Sequence, residues 1–282
     1  MMNSRAYSGK PPKRLNNGSF PHITVQMPVY KEGLNAVIKP TIMSIKAAIS
    51  TYELQGGTAN IFVNDGVYSI KSLGFELTTL DGMQLISKEE ASLRQDFYDE
   101  HNIGWVSRPK HNPPPKKADA GFDASTVFLR RGRFKKASNM NYALMVSNRV
   151  EEKLANIARH PAWTKDDENK MYAQCFQEVL EELNGRAWAA GNIRVGDYIL
   201  IIDSDTQVPR DCLLDAANEM ERSPEVAIIQ FSSGVMNVTH SFFEVGLLSP
   251  GSRSSGFQFV REAFANDLER NHILHESHLY CD

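Results

Sequence analysis

The sequence predicts a doubly wound α/β domain with a mostly parallel sheet, and three observations carry that prediction. A strand, a helix and a second strand follow one another within residues 23–65, an order that implies parallel pairing and a right-handed crossover. Residues 198–202 read Tyr-Ile-Leu-Ile-Ile, apolar on both faces, as expected of a central parallel strand covered by helices on each side. Helical periodicity over 139–158 and about 167–184 supplies helices for a covering layer.

Residues 1–19 are rich in Ser, Asn, Gly, Pro and basic groups without periodicity, and read as a disordered lead-in. Ile23, Val25 and Met27 alternate with Thr24 and Gln26, a period-2 strand that Pro28 is expected to end because it cannot donate to a ladder. A polar turn, Tyr30-Lys31-Glu32-Gly33, follows. From Pro40, Ile42, Ile45, Ala48, Ile49 and Tyr52 mark an amphipathic helix that Gly56-Gly57 stops. Residues 59–63 form the second strand and end at Asn64-Asp65. A helix near 88–100, a short strand at 103–106 and a long loop from Arg108 to Gly132 come next. Beyond the central strand, 211–222 read as a helix and 226–229 as another buried strand.

The composition is that of an ordinary globular protein. Its 282 residues carry a net charge of −3, with 41% hydrophobic and 23% charged residues, which argues against collagen-like, mucin-like or nucleic-acid-coating classes. Three distant cysteines do not make a disulfide framework. The strongest apolar stretch is five residues, whereas a spanning helix needs about twenty. No secretory signal opens the chain, so the sequence as written reads as soluble and cytoplasmic.

In parallel sheets, ligands gather outside the carboxyl ends of the strands. That rule puts Tyr30, Glu32, Asn64 and Asp65 on one rim and Asp203-Ser204-Asp205 at the end of the central strand. Two carboxylates at i and i+2 repel unless a cation neutralises them. Hard oxygen ligands suit Mg²⁺ or Mn²⁺, commonly held by one or two carboxylates together with substrate phosphates. The alternative is an Asx turn closing the strand. The basic run 130–136 has five cations in seven residues and could hold a polyphosphate. Lys136 sits at the mouth of the 139–158 helix, where the dipole also favours an anion. The dinucleotide, P-loop and nucleophile-elbow motifs do not occur. His272, His275, His278 and Cys281 read as part of an unstructured tail rather than a zinc site.

Taken together, M-P-V-Y-K-E-G at 27–33, F-V-N-D at 62–65, F-K-K-A-S-N-M-N-Y-A-L at 134–144, Y-I-L-I-I-D-S-D-T at 198–206 and I-I-Q-F-S-S-G at 228–234 resemble the family 2 glycosyltransferases, in order and spacing. Membrane-embedded chitin-synthase-like and polysaccharide-synthase-like enzymes are the nearest in pattern. The resemblance implies a GT-A-type domain over about 20–246 that binds a UDP-sugar and transfers the sugar, with inversion, to a glycan acceptor. It implies that Pro28, Tyr30 and Glu32 line the nucleotide and that the Asp of the second strand contacts uracil. It further implies that Lys136 lies near the diphosphate and that Asp203 faces the ribose or donor sugar. Asp205, with Asp203, would coordinate a divalent metal, Mg or Mn. No nucleic-acid partner is implied. A catalytically inactive nucleotide-sugar-binding module and a metal-dependent nucleotidyltransferase are the alternative readings.

Three departures from the family pattern are expected to matter. The second strand of the family usually ends N-D-D-G, whereas here Gly66 to Leu80 separate Asn64-Asp65 from Asp81-Gly82. Residues 66–80 therefore read as an insertion, such as a retained intron, that displaces Asp81, the better candidate for the uracil contact. The resemblance stops near Gly246, and the tail 247–282 carries neither the acidic motif that supplies the general base nor Q-x-x-R-W, so the catalytic base is unknown. The export helices of full-length relatives, which are membrane-embedded with a cytoplasmic catalytic domain, are also missing. The chain reads as a truncated version, expected to bind UDP-sugar weakly and not to make polymer alone.

Overall fold

A computed structural model describes residues 20–66, 88–109, 111–115, 127–130, 135–232 and 256–261. They form a seven-stranded mixed sheet with helices on both faces, the α/β class expected of a GT-A-like domain. In chain order the elements are β1 (His22–Val29), a π-helical turn (Leu34–Ile38), α1 (Lys39–Glu53), β2 (Thr58–Asp65), α2 (Lys88–Glu100) and β3 (Gly104–Ser107). Then come α3 (Lys135–Ala155), α4 (Lys165–Glu182), β4 (Trp188–Ala190), β5 (Tyr198–Ile201), α5 (Cys212–Arg222), β6 (Ile228–Ser232) and β7 (Gly256–Arg261).

The strand order is β4-β3-β2-β1-β5-β7-β6. β3, β2, β1 and β5 run parallel, while β4 pairs antiparallel with β3, and β7 antiparallel with β5 and β6. The chain winds outward from β1 through β2 to β3 and then returns to the other side of β1 with β5. The order therefore reverses between β1 and β5, and in open α/β sheets the carboxyl ends of the strands at such a reversal form the ligand crevice.

Alternation along the strands divides the core in two. Ile23, Val25 and Met27 of β1 pack with Ile42 and Ile45 of α1 and Leu213 and Ala217 of α5. On the opposite face Phe62 and Val106 pack with Ala143, Val146 and Val150 of α3 and Cys175 and Val179 of α4. Burial pushes the Cys212 thiol up to about 12, so it stays protonated as a small core residue.

Pro28 does not end β1. It lies within the strand, opposite Asn64. The Gln26 carbonyl accepts from Ile202 on the β5 side, and the Val29 carbonyl accepts from Gly66 on the β2 side. Even-numbered backbone groups therefore face β5, whose pairing with β1 ends at Gln26 and Ile201. The missing N–H of Pro28 falls on a side that has no strand left to bond.

α1 does stop at the glycine pair. Gly56 has φ +95°, and a Cβ on Gly57 would lie 2.3 Å from the ring of buried Tyr52, whose hydroxyl donates to the Pro21 carbonyl at 2.7 Å.

α3 starts one turn earlier than its apolar periodicity indicates, so Lys136 belongs to the first turn of the helix instead of preceding it. α4 also starts earlier, at a capping box. The Thr164 hydroxyl accepts from the Asp167 N–H and the Asp167 carboxylate accepts from the Thr164 N–H.

β4 was not expected, because three residues are too short to show a period. β7 falls in the 247–282 segment, past the last of the motifs singled out in the sequence, and it hydrogen-bonds β5 to β6. The lead-in 1–19, residues 67–80 and the histidines of the tail lie outside the described residues.

A surface network fastens α3 to α4. Glu168 accepts from Arg159 at 3.1 Å and from Trp163 at 2.9 Å, and lies 3.4 Å from Arg194, which also pairs with Glu151 of α3. The Arg159 hydrogen bond, first among several causes, holds the Glu168 carboxyl below the usual glutamate range. Its folded value lies below its unfolded value, so its stabilisation is present above about pH 4 and is lost as pH falls through the folded value. Glu168→Gln is expected to lose about 0.5–1 kcal/mol at pH 7. That deficit should shrink as pH falls below about 4 in thermal melts of both proteins, and a pH-independent deficit would contradict it.

Among the described residues, no helix is long and apolar enough to cross a membrane.

Candidate functional site

The crevice at the β1/β5 reversal gathers most of the residues singled out in the sequence. β1 delivers Pro28 and, just beyond it, Tyr30 and Glu32. β5 delivers Asp203 and Asp205 through Ile202. The first turns of α3 lie across both strands and β2. Lys136 Nζ donates to Asp203 Oδ1 at 2.7 Å, and Asn139 Nδ2 donates to the Asn64 carbonyl at the end of β2, also at 2.7 Å. Both members of the Lys136–Asp203 pair are more than a third exposed. Such a pair contributes about 0–1 kcal/mol, so an incoming anion can compete for the lysine at small cost.

The Asp203–Thr206 segment is a turn closed by the Thr206 N–H donating to the Asp203 carbonyl at 3.1 Å. Ser204 and Thr206 are buried, while Asp205 is exposed at the tip of the turn. The bond that closes this turn is backbone to backbone, a β-turn and not an Asx turn, and the turn presents the Asp205 carboxylate at its tip. Among the described residues no group of three or more His, Cys, Asp or Glu comes together. Asp203 and Asp205 therefore do not by themselves make a cation cage among the described residues.

Asp65 points to the α1/α2 face, where it is 5% exposed. There it lies 3.4 Å from Arg94 Nη1 of α2 and accepts from the Tyr98 hydroxyl at 3.2 Å. Burial, with the Asp65 charge second, holds the Tyr98 phenol well above its ordinary value, so it remains a donor. Asp65 is thus engaged by a buried arginine, whereas Asp203 and Lys136 meet on the α3 side. Asp81 lies outside the described residues.

Position 66 is closely surrounded. A Cβ there would stand 3.1 Å from the Val29 carbonyl oxygen, 3.2 Å from the Tyr30 ring and 3.6 Å from Asn139 Nδ2. Arg108, just past β3, sits over the Phe128 ring at 5.7 Å. Burial, and secondly the Arg130 charge, lower its affinity for its proton relative to a free arginine. Of the basic run, Lys136 is placed as above and Arg130 lies beside Arg108, but the side chains of 131–135 lie outside the described residues.

Two residues that matter here, Arg94 and Asn139, were not singled out in the sequence. Asn139 stands inside the K-K-A-S-N-M-N motif, and that was its available signal. Arg94 looks like any charged residue of a polar helix until the fold buries it.

A cleft of about 820 Å³ lies elsewhere, at the amino ends of β2 and β3 between α1 and α2. It contains none of the paired acids or cations described above.

No curated protein matches this sequence. Residues 198–266, which run from β5 and its Asp203-Ser204-Asp205 turn through β7, match the model of a family described as Glycosyl transferase family group 2, and that match supports a glycosyltransferase.

Proposed function

We propose that the β1/β5 crevice binds a UDP-sugar and that the domain is built for inverting transfer of the sugar to a glycan acceptor, in the manner of polysaccharide and cell-wall synthesis. The observation that carries this reading is the Lys136–Asp203 pair beside exposed Asp205 at the strand-order reversal, the two aspartates lying in the turn just after the strand that opens the family match. Tyr30 and Pro28 line the base, and Glu32 orders the same turn by accepting from the Tyr30 N–H at 2.6 Å. Lys136 exchanges Asp203 for a phosphate oxygen. Asp203 then turns to the ribose or donor sugar, and Asp205, with Asp203, holds Mg²⁺ or Mn²⁺. When bound, that cation neutralises charge on the departing diphosphate. In the transfer the acceptor oxygen bonds to the anomeric carbon, the bond to the diphosphate breaks with its electron pair leaving on phosphate, and the hydroxyl proton passes to a base. No described residue is assigned as that base.

Calorimetry with UDP, UDP-GlcNAc, UDP-glucose and a nucleoside triphosphate, with and without Mn²⁺, tests the reading. Metal-dependent UDP binding that weakens tenfold or more in Asp205→Ala is expected, equivalent to about 1.4 kcal/mol. Binding of the triphosphate without preference for UDP would favour a nucleotidyltransferase. UDP-sugar binding without turnover would favour an inactive binding module.

A further inference from the structure

We infer that α2 is the element that shapes the nucleotide rim and that Arg94 is its positioning residue, an inference that rests on the reading of the crevice as the nucleotide-sugar site. Arg94 is 1% exposed, rare for a charged side chain unless it is fully engaged. Its Nη1 reaches the Tyr30 carbonyl at 3.5 Å and Asp65 Oδ1 at 3.4 Å, and its Nη2 donates to the Glu32 carbonyl. Its Nε lies 3.8 Å from Glu90 Oε1, one helical turn earlier, and the same oxygen accepts from the Leu34 N–H at 2.9 Å.

Backbone groups of the turn at residues 30, 32 and 34 are therefore held from α2. Arg94 and Glu90 are at i+4 and i on one face, so the two grips act together. A planar guanidinium can serve two carbonyls and a carboxylate at once, whereas a lysine ammonium cannot reproduce that fork. Arg94 touches neither Lys136 nor the Asp203 turn in any described contact. Its effect on a ligand passes through the orientation of the Tyr30 ring and the Glu32 carboxylate. Asp65 belongs to the same clasp, as the counter-charge that allows the arginine to be buried.

The test compares the full chain with Arg94→Lys and Glu90→Ala by amide hydrogen exchange, thermal melting and UDP calorimetry in Mn²⁺. Arg94→Lys, folded by its cooperative melt, is expected to exchange about tenfold faster at 30–34 with β1 and β5 protection unchanged. UDP should bind about fivefold more weakly or worse, through loss of preorganisation. Unchanged exchange at 30–34 in a folded Arg94→Lys overturns the inference. Should that variant fail to fold, Glu90→Ala decides. Faster exchange confined to the Leu34 region with weaker UDP binding supports the clasp, and wild-type behaviour overturns it. If the unmutated chain binds no UDP, the reading of the site fails, while the exchange comparison still decides whether α2 holds the turn.

Discussion

Asp65→Ala is expected to destabilise the domain by about 3–5 kcal/mol, the usual cost of leaving one member of a buried ion pair without its partner. Arg94 would keep the Tyr30 and Glu32 carbonyls and the more distant Glu90, but would lose the carboxylate 3.4 Å away that compensates its removal from water. The Tyr98 hydroxyl would lose its acceptor at the same time, and an unsatisfied buried hydroxyl adds to the cost. For a domain of this size that corresponds to a drop of about 6–20 °C in Tm. Asp65→Asn keeps an acceptor of the same shape and should fall between alanine and wild type. Denaturant titration measures all three. A loss below about 1 kcal/mol in Asp65→Ala would show that Arg94 is satisfied without Asp65, which its burial argues against.

Deleting residues 66–80 is expected to raise UDP affinity by about 10–150-fold, the worth of one charge-assisted hydrogen bond of about 1.5–3 kcal/mol. The deletion joins Asp81 directly to Asp65, at the place Gly66 now occupies. A side chain at that place leaves the end of β2 toward the Val29 carbonyl, the Tyr30 ring and Asn139. That is the α3 side, where Lys136 and Asp203 meet. Asp65, one residue earlier, points to the other face and is engaged by Arg94. The shortened chain would therefore carry one carboxylate in the clasp and a second on the ligand side. The contacts of 3.1 Å to the Val29 carbonyl oxygen and 3.2 Å to the Tyr30 ring require both the β1 backbone and the ring to give by a few tenths of an ångström. Calorimetry in Mn²⁺ on the intact chain, the deletion and the deletion with Asp81→Asn separates the contributions. The aspartate-to-asparagine change should remove most of the gain. Equal affinity of the intact and shortened chains would show that the fifteen residues do not displace a ligand-binding carboxylate.

Much of the architecture is legible in the sequence because its signals are local. The βαβ order, the apolar run at 198–202, the glycine stop after α1 and the helix at 88–100 depend on periodicity and backbone sterics within a few residues. β4 and β7 were not legible. β4 is too short to show a period, and β7 becomes a strand by pairing with β5 and β6, which a window on one segment does not contain. The expected break at Pro28 failed for a related reason. Whether a missing N–H matters depends on which neighbour faces it, and here β5 has already ended.

In the crevice, sequence reasoning reached the residue types and their approximate rim, since the carboxyl ends of parallel strands are predictable once the strands are. Which of those residues face one another was not available from it. By itself the sequence determined an α/β domain with a mostly parallel sheet, with acidic and basic groups carried on the loops at one end, because periodicity and strand order are written along the chain. Only the tertiary structure decided that Asp203 meets Lys136 while Asp65 meets Arg94. Adjacent residues of a strand point to opposite faces, and the partner each one finds is set by helices distant in sequence. The same physics buried an arginine that reads as a surface charge and made it the holder of the turn at 30–34.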